Sequence, residues 1–395
     1  MPEQTVILPG PTDHVTPESV PDLVDHLLEA ARSRGASDVH CVPDESGLHV
    51  LWRIDGVLHP VGHLPRAITT NVVSRLKVLA ELLTYQVDVP QEGRIRSGDS
   101  SLDMRLSTFP TLFGEKAVVR ILQAHTPLLR LADLGLPPTS LDPLTRALAH
   151  TSGVILVSGP AGSGKTTTLY ACLRELVSGS NSPLSIVSLE DPVESVIAGV
   201  AQSQVRPSSG FDYATGLRSL MRQDPEVIMV GEIRDRETAE IVLQASLTGQ
   251  LVLTTFHAGN ACEAVGRLVD MGIEPYLVRS ALLGILSQRL LRQTCPSCSG
   301  EANAPSSQPC VECHQTGYVG RGAIAEWLDP TAPAVAEAIL ARHDSHLLLQ
   351  TAKDAGHRDL ASEAQRAVTD GWTSSAEVHR VLGLETVAEA EFGAS

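Results

Sequence analysis

The clearest pattern along the chain is a set of four short apolar runs, each followed closely by polar residues. The runs are Val154–Val157, Ile186–Leu189, Val227–Val230 and Leu251–Phe256. The polar residues that follow them are the loop Gly159–Thr166, then Glu190, Glu232 and His257. Short β-branched runs of this kind are typical of strands buried on both faces of a parallel sheet. Because ligands bind beyond the carboxyl ends of such strands, we expect these polar residues to share one site.

The N-terminal part of the chain shows the pattern of a smaller mixed α/β domain. Helical spacing of apolar residues predicts helices over Leu23–Ala31 and Val72–Leu83. Strands are predicted over Leu48–Ile54, Val57–Val61, Ser101–Ser107 and Ala117–Leu122. The first two strands flank Asp55 and Gly56, which together are a strong signal for a hairpin turn.

Composition suggests where the domain boundaries lie. Residues 1–22 are predicted to be a flexible leader, and residues 23–125 the smaller domain. Prolines are frequent over residues 126–141, which we interpret as a linker. A larger α/β domain is predicted over residues 142–395, and its last part, residues 330–395, is expected to be helical.

Charge and composition exclude several classes of protein. The chain of 395 residues has a net charge of −16, and only 3% of its residues are aromatic. A protein of this kind is not expected to bind nucleic acid through charge or base stacking. The N-terminus does not show the pattern of a signal peptide, so we expect a cytoplasmic location. The apolar stretch Tyr276–Leu291 contains Arg279, Gln288 and Arg289, and we interpret it as a buried helix and not as a membrane span.

The loop after the first apolar run fits the pattern G-x-x-x-x-G-K-[ST] and precedes a helix-like run that begins at Thr167. Its residues are Gly159, Pro160, Ala161, Gly162, Ser163, Gly164, Lys165 and Thr166. Glycines let the backbone curl so that its N–H groups face phosphate oxygens, while Lys165 adds a charge and Thr166 can hold Mg²⁺. The following helix offers its positive N-terminus to the same anion. We predict a site for ATP and Mg²⁺ formed by this loop and Thr167; the strand and helix around it disfavour an ordinary glycine-rich turn.

Acidic residues follow the second and third runs. Glu190, Asp191 and Glu194 lie within five residues of one another and on their own would indicate a solvated acidic turn. Beside a magnesium–phosphate site, Glu190 is instead expected to orient water or metal ligands. Gly231 stands where many phosphate-loop enzymes have a metal-binding Asp, so magnesium contact from this strand would pass through water. Glu232 is the candidate for polarising the attacking water, as general base or as positioner.

Basic residues supply further candidates. His257 could sense the γ-phosphate or contact a neighbouring subunit, although a lone histidine is more often structural. Arg94, Arg105 and Arg120 lie on or beside predicted strands of the smaller domain. Arg218 and Arg222 are four apart and are predicted to share one face of a helix. Exposed arginines are usually solvated, but a hydrolase whose own loop has no arginine often receives one from a partner surface.

Two C-x-x-C pairs in the last third of the chain are candidate metal ligands. They are Cys295, Cys298, Cys310 and Cys313, in an insert over residues 295–313. Four thiolates at this spacing suit one tetrahedral, structural zinc ion; disulfides and a redox pair are the alternatives. The remaining cysteines are isolated and are predicted to be small core residues: Cys41, Cys172 and Cys262.

These residues, in this order, resemble the type II secretion and type IV pilus assembly ATPase family. The resemblance extends from about Leu23 to about Leu382 and includes several specific blocks. The blocks include the phosphate loop, the acidic segment Leu189–Glu194, Leu220–Pro225, Val230–Ala239, the four cysteines and Thr316–Arg321.

The resemblance implies a RecA-like P-loop NTPase domain, a PAS-like N-terminal domain, a tetracysteine zinc insert and a helical C-terminal tail. It further implies a homohexamer in which Arg94, Arg105 and Arg120 reach the phosphates. The expected partners are an inner-membrane platform protein and, as a further candidate, a cytoplasmic adaptor, at the inner face of the cytoplasmic membrane. Family members with the cysteine insert typically extend a pilus or pseudopilus and do not retract it.

The sequence also departs from the family pattern. Gln250 stands where the family often has a histidine, and Ala258 and Gly259 replace the usual Thr-Asn after His257. The N-terminal domains that many assembly ATPases use for docking are not evident. We therefore expect either docking through another surface or membership of a compact or competence-type system. Two alternative functions stay open on the sequence: a nucleic-acid or type IV secretion translocase built on a RecA-like core, and a nucleotide-gated regulatory module.

Overall fold

The computed structural model describes residues 16–96, 102–123, 130–179, 182–300 and 310–383. The chain divides into two compact units, Met1–Pro127 and Leu128–Ser395. Both units combine helices with a β-sheet, so the prediction of an α/β fold is confirmed.

The first unit contains an antiparallel sheet of six strands and two helices. Its strands are β1 (Asp38–Pro43), β2 (Gly47–Ile54), β3 (Val57–Pro65), β4 (Gln91–Arg96), β5 (Leu102–Thr111) and β6 (Gly114–Gln123). Its helices are α1 (Val20–Ser33) and α2 (Arg66–Leu79). The strands lie in the order β3-β2-β1-β6-β5-β4, and both helices contribute to the core that covers the sheet through residues such as Val24 and Leu76.

Several details of this unit differ from the sequence prediction. Helix α1 begins at Val20, which is buried and lies within the predicted leader over residues 1–22, and α2 begins at Arg66 and not at Val72. Helix α2 ends at Leu79 and not at Leu83, since Glu81 has a left-handed φ of 57° and directs the chain out of the helix. Strands β1 and β4 were not predicted. The reason is clearest for β4, because Ile95 is its only apolar residue.

The second unit contains a sheet of seven strands in the order β13-β12-β7-β11-β10-β8-β9, in which only β12 and β13 pair antiparallel. The strands are β7 (Gly153–Ser158), β8 (Ile186–Glu190), β9 (Ala201–Gln204), β10 (Val227–Val230), β11 (Leu251–Phe256), β12 (Leu282–Thr294) and β13 (Tyr318–Leu328). The first helices are α3 (Pro138–Leu148), α4 (Lys165–Gly179), α5 (Tyr213–Leu220), α6 (Arg236–Leu247), α7 (Ala261–Asp270) and α8 (Pro275–Ala281). The last are α9 (Pro333–Leu340), α10 (Ser345–Asp354), α11 (Leu360–Thr369) and α12 (Ser375–Leu382).

The central strands of this sheet are buried on both faces. In β7, Val154 and Leu156 belong to one hydrophobic core, whereas Ile155 and Val157 belong to the core on the opposite face. All six residues of β7 and of β11 are buried. A strand covered on both sides carries apolar residues at consecutive positions, which explains why these runs could be recognised in the sequence.

The interpretation of residues 126–141 as a linker needs correction. Leu131–Leu134 forms a 3-10 turn with Leu131 buried, and α3 begins at Pro138. The hydroxyl of Ser140 donates a hydrogen bond to the carbonyl oxygen of Ala325, 3.0 Å away, which fastens this segment to β13. Proline in the first turn of a helix is favourable, so the high proline content marks the start of a helix here.

The interpretation of Tyr276–Leu291 as one buried helix was wrong in its second half. Helix α8 ends at Ala281, and strand β12 then lies between β7 and β13. A Cβ atom on Gly284 would lie 1.8 Å from the ring of Trp327, so only glycine permits this close approach of β12 and β13. A buried strand and a buried helix both present an uninterrupted apolar run, and periodicity cannot separate them. No helix in the part of the chain that the structure describes is long and apolar enough to cross a bilayer.

Cys41, Cys172 and Cys262 are all buried, which confirms that they are core residues.

A buried ion pair links helix α2 to strand β6 in the first unit. The side chain of Lys77 is fully buried, and its Nζ lies 2.7 Å from Oε1 of Glu115. The same ammonium group donates to the carbonyl oxygen of Gln86 at 2.8 Å. Removing one partner of such a pair leaves an uncompensated charge in the interior, which is strongly destabilising.

We therefore expect Glu115→Gln to lower the free energy of unfolding by about 3–5 kcal/mol. The matched control is Glu29→Gln, because Glu29 forms an exposed ion pair with Arg32 on α1 that should contribute no more than about 1 kcal/mol. Calorimetric and denaturant unfolding of both variants measures the difference. Equal losses in the two variants would contradict the importance of the buried pair.

Candidate active site

One cavity of about 210 Å³ lies at the carboxyl ends of the parallel strands in the second unit. Its lining includes Lys165, Thr166, Glu190, Glu232 and His257, which come from the end of β8 and from the segments after β7, β10 and β11. The residues that the sequence pattern predicted to meet are therefore brought together by the fold.

The phosphate loop curls where its glycines allow it. Gly159 has a φ of 150°, and a Cβ atom there would lie 2.4 Å from the hydroxyl of Ser163. Gly164 has a φ of 88°, and α4 begins at the next residue, Lys165. The loop therefore ends at a helix N-terminus, where free N–H groups and the helix dipole favour an anion. Thr166, in the first turn of this helix, also lines the cavity, and Thr167 follows it.

Lys165 is held inside the loop. Its Nζ donates hydrogen bonds to the carbonyl oxygens of Gly159 and Pro160, at 2.8 and 2.9 Å. Burial lowers the pKa of Lys165 to about 8, an effect that Glu232 opposes and Arg289 reinforces. The ammonium group is thus charged at neutral pH but loses its proton far more easily than an exposed lysine would.

Gln288 fixes the loop to the sheet. This side chain is buried on β12; its Nε2 donates to the carbonyl oxygen of Ser163 at 2.7 Å, and its Oε1 accepts from the hydroxyl of Thr168 at 2.9 Å. One amide therefore holds both the loop and the first turn of α4. The sequence analysis placed Gln288 in a helix and gave it no role in the site, because its contact with the loop depends on the position of β12.

Glu190 is a buried carboxylate with three hydrogen-bond donors. Oε1 accepts from the hydroxyl of Ser188 and from Nε2 of Gln202, the latter at 3.0 Å. Oε2 accepts from the hydroxyl of Tyr170 on α4. Burial and the bond to Glu190 raise the pKa of Tyr170, so this hydroxyl keeps its proton and remains a donor. Only 2% of Glu190 is exposed, which rules out the solvated acidic turn as its environment.

The two other acids of this segment have separate environments. Asp191 lies 3.3 Å from Nη1 of Arg234. The backbone N–H of Glu194 donates to the hydroxyl oxygen of Tyr170 at 3.1 Å. Burial, followed by the charge of Glu190, raises the pKa of the Glu194 carboxyl.

Glu232 is held between a guanidinium group and an imidazole. Arg234 donates to its Oε1, and Nε2 of His257 lies 3.2 Å from its Oε2. The guanidinium group of Arg234 also pairs with Asp191 and so connects the segments after β8 and β10. Arg234 was not singled out in the sequence, although its position two residues after Glu232 could have suggested a role beside it.

The four cysteines form one cluster, with all four sulfur atoms within 4.8 Å of one another. The Sγ atoms of Cys295 and Cys310 are 3.8 Å apart, and those of Cys298 and Cys313 are 3.7 Å apart. Zn–S bonds of about 2.3 Å in a tetrahedron give S–S edges of about 3.8 Å, so the cluster fits a zinc ion. The N–H of Gly317 donates to Sγ of Cys313 at 3.3 Å, as expected around a thiolate ligand.

Three of the predicted arginines form a row on the first unit. Arg94 on β4 is directly opposite Arg105 on β5, which in turn is opposite Arg120 on β6. All three side chains are exposed. Arg120 also donates to Asp38 at 3.0 Å. Like charges at directly opposite positions are unfavourable, which makes this row suitable for an anion.

Arg218 and Arg222 do not share a helix face as predicted. Helix α5 ends at Leu220, so Arg222 lies beyond it, and its Nη1 donates to the carbonyl oxygen of Arg218 at 2.8 Å. Arg218 itself pairs with Glu237 on α6.

Comparison with known proteins shows that the chain is similar to secretion proteins. It matches the family model described as "Type II/IV secretion system protein" over residues 13–380. It is 42% identical over 364 residues to the type II secretion system protein HxcR of Pseudomonas aeruginosa, covering 91% of this chain and 76% of that protein. It is 44% identical over 326 residues to the type II secretion system ATPase E of Vibrio cholerae, covering 78% of this chain and 64% of that protein.

A pilus protein is also among its relatives. The chain is 37% identical over 385 residues to the type IV pilus assembly ATPase TfpB of Acinetobacter baylyi, covering 92% of this chain and 65% of that protein. The chain thus spans slightly less than two thirds of the length of this relative and of the Vibrio cholerae one.

Solved structures share the fold. The Legionella pneumophila ATPase DotB superimposes with a TM-score of 0.69 at 21% identity, covering 95% of this chain and 98% of DotB. The pilus retraction motor PilT with bound ADP superimposes with a TM-score of 0.60 at 24% identity, covering 90% of this chain and 96% of PilT. At these identities the likeness establishes the fold alone.

The lowered pKa of Lys165 predicts a specific pH dependence of nucleotide binding. A phosphate prefers the charged ammonium group, which predominates below pH 8 and is lost above it. We expect ATP affinity to be nearly constant up to about pH 7.5 and then to fall, by up to about tenfold per pH unit. Titration calorimetry between pH 7 and pH 9.5 measures this. Lys165→Arg keeps its charge throughout, so a decline of equal steepness in that variant would contradict the assignment.

Proposed function

Because the chain belongs to the Type II/IV secretion system protein family, it is an ATP hydrolase, and we propose that it powers assembly of a type IV pilus or of a type II secretion pseudopilus. The observation that carries the proposal is the single cavity that contains Lys165, Thr166, Glu190, Glu232 and His257. A basic loop for phosphate, a hydroxyl for magnesium and a carboxylate for water are the parts that phosphoryl transfer to water requires.

The residues of the loop bind the phosphates in this proposal. Backbone N–H groups between Gly159 and Thr166 and the N-terminus of α4 offer donors, and Lys165 exchanges its bonds to Gly159 and Pro160 for phosphate oxygens. Thr166 and the acidic groups of the cavity are hard oxygen donors that suit Mg²⁺, with Thr166 as the direct ligand. Mg²⁺, when bound, would neutralise phosphate charge.

Glu232 positions the attacking water. Both of its carboxylate oxygens already interact with cationic or donor groups, Arg234 on one side and His257 on the other. Such neighbours fix the orientation of the carboxylate, which suits it to orient the attacking water. Glu190, held by its three donors, orients water around the magnesium ion. His257 responds to the presence of the γ-phosphate and transmits this to Glu232 through the contact between the two side chains.

The domain types, the oligomeric state and the partners are proposed from the resemblance of the chain to its family. We propose that the second unit is a RecA-like domain and the first a PAS-like domain, and that the protein works as a homohexamer. The row of Arg94, Arg105 and Arg120 is the proposed source of positive charge for the phosphates. The proposed partners are an inner-membrane platform protein and a cytoplasmic adaptor, with the protein held peripherally at the inner face of the cytoplasmic membrane.

The four-cysteine cluster is proposed to hold a structural Zn²⁺ ion. Four thiolates leave no open coordination position, so the ion would organise the insert and take no part in hydrolysis. The resemblance associates this insert with motors that extend a filament, and it therefore favours assembly over retraction.

Substitutions of residues that line the cavity should distinguish the binding of ATP from its hydrolysis. We expect Glu232→Gln to bind ATP but to hydrolyse it about 10²–10⁴-fold more slowly, because the carboxylate that positions water is lost. Lys165→Ala should lose both properties. The matched control is Glu240→Gln, an exposed acid on α6 that pairs with Arg236 outside the cavity, and it should stay within about twofold of the wild type.

Phosphate release and nucleotide binding are measured for the three variants and the wild type. If Glu232→Gln keeps more than half of the wild-type rate, the proposed role of Glu232 is wrong. Single-stranded DNA is added in a parallel assay, and a marked stimulation of turnover by DNA would favour a nucleic-acid translocase over the assembly motor.

Metal analysis tests the cysteine cluster. Protein purified without chelator and transferred to metal-free buffer should contain about one tightly bound zinc per chain, because four thiolates complete the coordination. Cys298→Ser should lose most of this zinc, whereas Cys41→Ala, which changes a buried cysteine of the first unit, should keep it. Less than about half an equivalent in the wild type would exclude a closed four-thiolate site.

A further inference from the structure

A second group of metal-ligating side chains lies on the first unit. Asp44, His49 and His63 each offer one ligand atom, and these atoms all lie within 4.8 Å of one another. Asp44 precedes β2, while His49 and His63 lie on the hairpin of β2 and β3. We propose that this His-His-Asp cluster is a surface binding site for Zn²⁺. It lies outside the cavity of the second unit, so the inference does not depend on the proposed hydrolytic function.

The hairpin places the two imidazoles side by side. His49 and His63 are directly opposite each other in the ladder of β2 and β3, and their ring centroids are 4.7 Å apart. Both are exposed, whereas the adjacent residues Leu48 and Leu64 are fully buried. The two rings therefore share the outer face of the sheet, and neither is needed to fill the core.

Gly47 allows His63 to approach the turn. A Cβ atom at this position would lie 2.8 Å from Cε1 of His63 and 2.1 Å from the carbonyl oxygen of Leu64. Only glycine leaves room for the ring against the backbone of β2. Because β3 is an edge strand, the opposite side of His63 is not covered by a further strand.

The third ligand is already oriented by the turn between β1 and β2. Oδ1 of Asp44 accepts from the hydroxyl and N–H of Ser46, at 2.7 and 2.8 Å, and from the N–H of Gly47 at 2.9 Å. Oδ2 is directed at Nε2 of His49, 2.5 Å away.

Ser46 completes the surroundings of the cluster. Its hydroxyl also lies 3.0 Å from Nε2 of His63, so it connects the carboxylate and the second imidazole. A metal ion that binds here replaces the proton between Asp44 and His49, and Ser46 remains as an outer support for the carboxylate.

The donor set selects the class of metal. Two imidazoles and one carboxylate suit Zn²⁺, and also the neighbouring ions Ni²⁺ and Cu²⁺, whereas Mg²⁺ and Ca²⁺ prefer oxygen donors throughout. Three protein ligands leave a coordination position for water, and the exposure of both histidines lets an ion enter directly from solvent. The bound ion would connect the turn after β1 to the edge strand β3. The alternative is that Asp44 and His49 form only an exposed ion pair.

The experiment uses the full-length protein whose cysteine cluster has been filled with zinc and then freed of excess metal. Calorimetric titration with Zn²⁺ at pH 7.5 should show one further equivalent per chain in the wild type. His63→Ala and His49→Ala should each weaken this binding by more than about tenfold, because even changes outside the ligand shell cost about 10–100-fold. At pH 5.5 the binding should be weaker, because protons compete with a metal ion for imidazole nitrogen atoms.

Two further variants make the result specific. His26→Ala removes an exposed histidine of α1 in the same unit and should leave the second equivalent unchanged. Asp44→Asn can keep the bonds to Ser46 and Gly47 but removes the anionic ligand, and it should weaken binding like the histidine variants. If the wild type binds no second zinc up to millimolar concentration, or if His63→Ala titrates like the wild type, the cluster is only a hydrogen-bonded group and the proposal is wrong.

Discussion

The second unit depends on the burial of its parallel strands on both faces. Because alternate residues of β7 pack into opposite cores, neither face of the strand has room for a solvated polar side chain. Polar groups that face solvent are therefore expected where the central strands end and the chain turns into a loop or helix. The phosphate loop after β7, Glu190 at the end of β8, Glu232 after β10 and His257 after β11 all obey this constraint. The cavity is thus a consequence of how the sheet is covered, and its chemistry is set by the residue that follows each strand.

The same constraint explains what the sequence could predict and what it could not. Strands β10 and β11 have the predicted bounds, because an apolar run between polar ends is a local signal. Strand β12 was misassigned because its apolar run is longer and follows a helix without a break. The end of α2 and the start of α3 depend on single backbone positions, Glu81 and Pro138, that periodicity does not detect.

The residues of the candidate active site also differ in how well the sequence could predict them. Lys165, Glu190 and Glu232 could be predicted to meet because each lies at the carboxyl end of a strand or in the segment that follows it. Their partners were harder to find: Gln202 reaches Glu190 from the edge strand β9, and Gln288 reaches the phosphate loop from β12. Neither contact follows from spacing along the chain, because each depends on which strands are neighbours.

The hydrogen-bond partners also give the two carboxylates different surroundings. Glu190 is buried among neutral donors, while Glu232 interacts with Arg234 and His257. Two acids with unlike surroundings in one cavity are suited to different tasks.

Strand β12 connects the phosphate loop to the cysteine cluster. It carries Gln288, ends at Thr294 and leads directly to Cys295, while Cys313 precedes its antiparallel partner β13. A metal ion bound by both cysteine pairs would therefore link the two strands at the end of the hairpin that carries the connecting insert. Farther along the hairpin, Arg292 pairs with the buried Glu377 and its guanidinium group lies 4.0 Å over the ring of Tyr318 on β13. The central strands are buried between two hydrophobic cores, whereas the end of this hairpin packs against a separate apolar cluster that includes Leu291, Ile324 and Val378. A metal ion at the cysteines would act on the loop end of the hairpin, while Gln288, buried farther back on β12, holds the phosphate loop through its own hydrogen bonds.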